Sequence, residues 1–230
     1  MPSSTTVIIA LKFQGGVVIA ADSQASDTNA RVRWPVEKLD SLKPHACVIG
    51  FSGSVGRADA ARERLAGNSL HPGTFAIAPK VQEHFSSVLA PIYKQMAEAP
   101  VMPGQNPMTL WGLVALWTGD DACILELEPN ADSCWQQYFH AIGSGSATAY
   151  AVYRTLGGKR LIGVDEAKAI MAVLRILRTC VDVEMWGVSE PLDVWVVTKG
   201  SAKRISRDEL QAHLQAVDAW EEDGRKLLFG

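Results

Sequence analysis

Three residues near the front of the chain have types and spacing suited to hydrolysis: Thr6, Asp22 and Lys38. Thr6 leads the apolar stretch VIIALKF, Gln14-Gly15-Gly16 follows, and the run VVIAADSQAS then carries Asp22 ahead of Lys38. A threonine close to the amino end is thus followed by two strands that deliver an aspartate and a lysine. A hydrolase whose own terminal amine serves as catalytic base needs that layout.

The elements that must position these groups read as follows. Residues 6–13 and 16–21 are Val/Ile-rich and meet at Gln14-Gly15, which predicts a tight hairpin of two well-buried strands. Residues 32–41 alternate and turn at Lys43-Pro44; ACVIGF (46–51) is a further buried strand ending in Ser52-Gly53-Ser54. A helix is predicted over 58–65 and a longer one over 81–96, where Val81, Phe85, Val88, Leu89, Ile92 and Met96 recur at near-helical spacing. Proline-rich loops are expected at 67–79 and 97–108. Strands return at 110–117, 122–128 and 135–142, and Gly143-Ser144-Gly145-Ser146 turns sharply into a helix over 147–156. Gly157-Gly158 stops that helix, and Asp165 caps the next, over 166–180. A late strand spans 192–198 and a polar amphipathic helix 207–223. Strands cluster instead of alternating singly with helices. The fold class expected is therefore α+β, two packed antiparallel sheets with a helical layer outside each.

Composition sets the outer bounds. The 230 residues are 47% hydrophobic and 20% charged, so a sizeable core is expected and disorder is not. The net charge is −3 and no basic run exceeds two residues, which argues against a nucleic-acid partner. No stretch reaches the roughly 18 consecutive apolar residues that a membrane span requires. The opening MPSSTT has neither a basic start nor an apolar signal core, so a cytoplasmic location is expected. The four cysteines, at 47, 123, 134 and 180, form no CxxC pair and read as buried small hydrophobes. The five histidines show no ligand spacing, so no metal or other cofactor is expected.

Several separated motifs together resemble a proteasome-type β subunit of the N-terminal-nucleophile hydrolases. They are Thr6 with FQGGVVIAADS and Ala25-Ser26, Lys38 at 32 positions after Thr6 and 16 after Asp22, Phe51-Ser52-Gly53, the turn at 143–146 and the strand LDVWVVT. The likeness covers about residues 5–205. The Gly50-Phe51-Ser52-Gly53 form is also similar to the bacterial two-component protease subunit of the HslV type. The long middle segment and C-terminal helix resemble the 20S β type or bacterial proteasome homologues found outside actinobacteria.

The resemblance implies a four-layer αββα sandwich, a propeptide over residues 1–5 and a single domain over 6–230. It also implies a homo-oligomer, a stacked double ring of 14 subunits by analogy, enclosing a chamber for peptide or unfolded-protein substrate, with an ATPase unfoldase as a possible partner. On that pattern Thr6 is the nucleophile, with Thr5 the competing position. Lys38 stabilises the alkoxide and keeps the neighbouring amine neutral, and Asp22 holds Lys38 charged. Gly53 supplies an oxyanion N–H and Ser144 binds the terminal amine. Ser26 lies where substrate backbone adds as a strand. Ala25, Val36 and Phe51 would line an apolar first specificity pocket. The chain departs from the pattern in two places. The supporting Asp-x-x-Ser pair falls on Glu184 and Gly187, with Asp182 and Ser189 nearby, and Thr5 precedes the nucleophile where the family carries glycine. A non-catalytic ring subunit and a small-molecule amidase of the same nucleophile scheme are the alternatives.

Overall fold

The structure is a computed structural model that describes residues 6–27, 32–100, 109–183 and 190–229. Its frame is two five-stranded antiparallel sheets lying face to face. The first uses strands β1 (Ile8–Phe13), β2 (Gly16–Asp22), β10 (Phe139–Ile142), β11 (Leu192–Thr198) and β12 (Ser201–Arg204), in the order β10-β1-β2-β11-β12. The second uses β5 (Leu39–Ser41), β6 (Cys47–Gly53), β7 (Leu110–Thr118), β8 (Asp121–Leu127) and β9 (Ser133–Gln136), in sequence order. A separate two-stranded ribbon pairs β3 (Gln24–Asp27) with β4 (Val32–Pro35).

The apolar runs of β1 and β2 follow from burial on both faces, which removes any need for a polar alternation. Ile8 and Ala10 of β1, with Val17, Ile19 and Ala21 of β2, face the other sheet. There they meet Val48, Leu113, Ala115 and Ile124, and the alanines let the two sheets approach. Ile9, Leu11, Val18 and Ala20 point the other way, onto α5 (Glu166–Val183) and α4 (Ser146–Thr155). On the far side, Ile49, Leu110, Val114 and Leu125 pack on α1 (Val55–Gly67) and α3 (Ala78–Glu98), with the one-turn α2 (Pro72–Phe75) between those helices. The result is the αββα sandwich. Each fully buried Leu or Ile contributes about 1.5–3 kcal/mol, so these three apolar layers hold the sheets in register without any cross-link. The last helix, α6 (Arg207–Phe229), closes over α5 through Leu210, Leu214 and Val217.

Local chemistry sets the boundaries. Asp165 Oδ1 accepts from the Lys168 N–H at 2.9 Å and so caps α5 as expected. Gly157 adopts φ +108°, the left-handed conformation that ends α4. Several features differ from the sequence reading. The single strand expected over 135–142 is two strands: β9 pairs with β8 in one sheet, and after a bend at 137–138, β10 pairs with β1 in the other. Apolar spacing does not register a change of sheet. A short 3-10 helix over Gly158–Gly163 and strand β12 go beyond the expected elements, and α6 runs to Phe229. The cysteine expectation holds for Cys47 and Cys180, which are buried. It fails for Cys134, which is exposed because it lies on edge strand β9, and for the half-buried Cys123.

Candidate active site

Thr6 lies two residues before the start of β1, Asp22 ends β2, Lys38 precedes β5, Gly53 ends β6 and Ser144 sits in the turn between β10 and α4. The register explains why Thr6, Asp22 and Ser144 meet. Ile8 lies opposite both Ala21 and Ile142, so the head of β1 is flanked by the end of β2 and the end of β10.

Lys38 is the hub. Its Nζ donates to Thr6 Oγ1 at 3.1 Å and to both carboxylate oxygens of Asp22, at 2.7 and 2.8 Å. Asp22 also accepts the Val7 N–H at 2.9 Å and the Gln24 N–H at 3.2 Å. Asp22 is 0% exposed, Thr6 1% and Lys38 4%, so the whole triad is dry. Burial pushes the Asp22 carboxyl up, against the lowering pull of Lys38 and the two backbone N–H groups. The same burial pulls the Lys38 amine down, against the raising effect of Asp22. Two-point contact and two further donors on the carboxylate keep the pair ionised, with a lysine that gives up its proton more readily than one in water. Such an ammonium, in hydrogen-bond contact with a hydroxyl, stabilises the alkoxide that forms when the hydroxyl loses its proton.

The other side of Thr6 is wrapped by the turn at 143–146. The Thr6 N–H donates to Ser144 Oγ at 3.2 Å, and the Gly145 N–H donates to the Thr6 carbonyl at 3.4 Å. Gly143 has φ +92°, and a Cβ there would overlap the Thr6 carbonyl oxygen. Gly53 has φ +124°, and a Cβ there would overlap the Thr109 carbonyl oxygen, so neither position accepts a side chain.

The structure therefore brings Thr6, Asp22, Lys38 and Ser144 together, with Gly53 at a neighbouring strand end. Glu184 lies outside the described residues, as do Gly187 and Ser189, while Asp182 is exposed at the end of α5. Ala25 and Ser26 sit on β3, opposite Trp34 and Arg33. Val36 is half-buried, and its N–H donates to the Ser23 carbonyl at 3.0 Å. Phe51 corrects the expectation of a pocket-lining residue. It is 4% exposed and turned into the helix-facing core with Leu127 and Ala61, because alternation along β6 sends Cys47, Ile49 and Phe51 to one side. The sequence reading also missed the backbone of Val7, Gln24 and Gly145, which no pattern of side chains reveals. A cavity of about 260 Å³ lined by His45, Leu65, Phe75, His84 and Phe85 contains none of the site residues.

Two packed antiparallel sheets between helical layers, with a threonine heading the first strand against a buried lysine, define the N-terminal-nucleophile hydrolase class of fold. A sequence model described as "Proteasome subunit" matches residues 3–188, and the chain belongs to the proteasome subunit family. A protein named proteasome subunit beta from Acidothermus cellulolyticus is 30% identical over 167 residues, which is 68% of this chain and 54% of that protein. The match thus spans about half the length of that relative. Among solved structures, Anbu (ancestral beta-subunit) from Yersinia bercovieri superposes with a TM-score of 0.77 at 12% identity, covering 96% of each chain. The Anbu (Gly-1) mutant from Hyphomicrobium sp. strain MC1 gives 0.75 at 13% identity, covering 97% of each. At such identities the likeness is one of fold.

Proposed function

We propose that the chain is a threonine-type peptidase subunit of a ring-forming, proteasome-like complex. Residues 1–5 are a propeptide and 6–230 the single folded unit. One observation carries this reading: Lys38 Nζ is shared between Thr6 Oγ1 at 3.1 Å and a fully buried Asp22 carboxylate. A buried ion pair aimed at a hydroxyl costs stability, and a nucleophile gives a reason to retain it.

After loss of residues 1–5, the Thr6 amine takes the proton from its own Oγ, directly or through one water. Lys38 stabilises the alkoxide, and Ser144 Oγ, already 3.2 Å from the Thr6 nitrogen, holds the amine. The Oγ attacks the scissile carbonyl and the C–N bond breaks as the leaving amine takes a proton. The resulting ester is then hydrolysed by water activated by the Thr6 amine. Gly53 is the candidate oxyanion donor, a contribution of a few kcal/mol in such sites. A stacked ring of identical subunits would confine the site to a chamber and restrict it to unfolded chains, and an ATPase unfoldase is the natural feeder.

Intact mass and N-terminal sequencing of the purified protein test this reading, beside a Thr6→Ala variant. A chain that begins at Thr6, with the variant left at full length, is the expected result. A chain still carrying MPSST in the assembled particle would replace this reading with that of a structural ring subunit.

A further inference from the structure

The segment that carries Lys38 has little regular structure of its own. Residues 36–38 lie between β4 and β5, yet Lys38 must reach Thr6 from there. Arg62, on α1, binds this segment. Its Nη2 donates to the carbonyl oxygens of both Glu37, at 3.3 Å, and Lys38, at 3.1 Å. Its Nη1 donates to Asp59 Oδ1 at 2.8 Å, and its Nε lies 2.5 Å from Asp40 Oδ2. The Arg62 side chain is 17% exposed, while its partners Asp40 and Asp59 are 43% and 59% exposed. One planar guanidinium thus fixes two successive carbonyls of the segment while two carboxylates, one on α1 and one on β5, fix the guanidinium. Arg204 of β12 binds the Glu37 side chain at 3.0 Å and the buried Asp193 at 2.8 Å. Asp193 lies opposite Ala21, the residue before Asp22.

We infer that Arg62 is a positioning residue for Lys38: bridging the Glu37 and Lys38 carbonyls, it sets the distance from the ammonium to the Thr6 hydroxyl. The inference rests on the reading of Thr6 as nucleophile. Arg62 touches no reacting atom; it acts through the backbone. A displacement of about 1 Å at such a group can cost on the order of 100-fold in rate.

The test is covalent labelling of the protein as purified, with its amino end at Thr6 verified by intact mass, using a β-lactone bearing an apolar side chain. Thr6 Oγ attacks the lactone carbonyl, the ring C–O bond breaks, and the proton from Thr6 ends on the released ring hydroxyl, so the product is an ester with no group lost. Peptide mapping locates the adduct, and the dependence of rate on lactone concentration separates the saturating rate from the half-saturation concentration. Arg62→Ala is expected to lower the saturating rate about 10- to 100-fold with half-saturation little changed. Arg62→Lys retains the charge facing Asp40 and Asp59 but not the forked donors, and is expected to fall between. Arg178→Ala, which breaks a pair with Asp218 on the opposite helical layer, serves as the arginine control at the wild-type rate. Wild-type labelling at Thr6 with an equally fast Arg62→Ala would overturn this inference and leave the peptidase reading intact. If Arg62→Ala does not fold, a full-rate Arg62→Lys has the same meaning. A wild type unlabelled at Thr6 would overturn both.

Discussion

Two ion pairs in this molecule have the same chemistry and opposite surroundings. Lys38 and Asp22 meet at 2.7 Å between the strand ends, the lysine side chain 5% exposed and the aspartate 0%. Lys203 and Glu209 meet at 2.6 Å on the surface, with 59% and 44% of their side chains exposed. In the first pair burial works against both charges, so the carboxyl is pushed up and the amine pulled down. In the second, hydrogen bonding dominates: Glu209 is pulled down to about 2 by Lys203 and Ser206, and Lys203 is raised by Glu209. Charge placed in water stabilises locally and cheaply. Charge placed in a dry core is a standing cost that a fold retains for what the charge does.

The sharpest way to break the comparison is to remove one member of the buried pair. Lys38→Met leaves the Asp22 charge uncompensated and is expected to cost about 3–5 kcal/mol in urea denaturation. Adding Asp22→Leu removes the stranded charge but also takes the acceptor from the Val7 and Gln24 N–H groups, so only part of the loss should return, while Thr6 stays unreactive. A double variant less stable than the single one would show that the backbone contacts of Asp22 stabilise the fold by more than its stranded charge costs.

Next in size is the turn that faces Thr6. Gly143→Ala forces a side chain onto the Thr6 carbonyl at φ +92°. It should cost about 1–3 kcal/mol and slow release of residues 1–5 in a mass-spectrometric time course. Gly200→Ala, also at positive φ but with open space around it, isolates the backbone part of that penalty.

The smallest effects separate the pairs by pH. Burial holds Lys38 below the ordinary 10.5. The native state is therefore penalised while Lys38 is protonated, and stability returns as pH rises through the folded value towards the unfolded one. A 13Cε titration of Lys38 should show a midpoint below 10.5, and Asp22→Asn should move it lower still by removing the counter-charge. Glu209 has the opposite sign: its share of stability is present above its unfolded value, ordinarily 4.5, and is lost as pH falls through about 2. Lys203→Met should return its carboxyl titration towards 4.5, and added salt should erode this pair before the buried one.

Much of this was legible in the sequence, for reasons that differ by region. The hairpin of β1 and β2 announces itself because both its faces are buried and its turn needs glycine at φ +103°, as Gly15 has. The 32- and 16-residue intervals from Thr6 and Asp22 to Lys38 likewise held, since they are fixed by strand lengths and turns. The switch of sheets inside 135–142 was not legible, because WQQYFHAI keeps its apolar spacing through the bend. Phe51 was misread because its neighbours along the chain named the site, whereas the parity of β6 decides which way a side chain points. Arg62 left no trace at all: its partners are backbone carbonyls 24 and 25 residues away.

The order in which the chain is made has a bearing on safety inside a cell. Strands β5 to β9 form one sheet from a continuous stretch, whereas the sheet that begins with β1 waits for β10, β11 and β12. Ser144 arrives 138 residues after Thr6, and β11, which flanks Asp22, later still. During vectorial synthesis, at about 5–20 residues per second, the threonine spends seconds outside the exit tunnel with its setting incomplete. On the peptidase reading proposed above, a nascent chain is thereby kept inert by topology, and the setting of Thr6 is completed only with the nearly finished polypeptide.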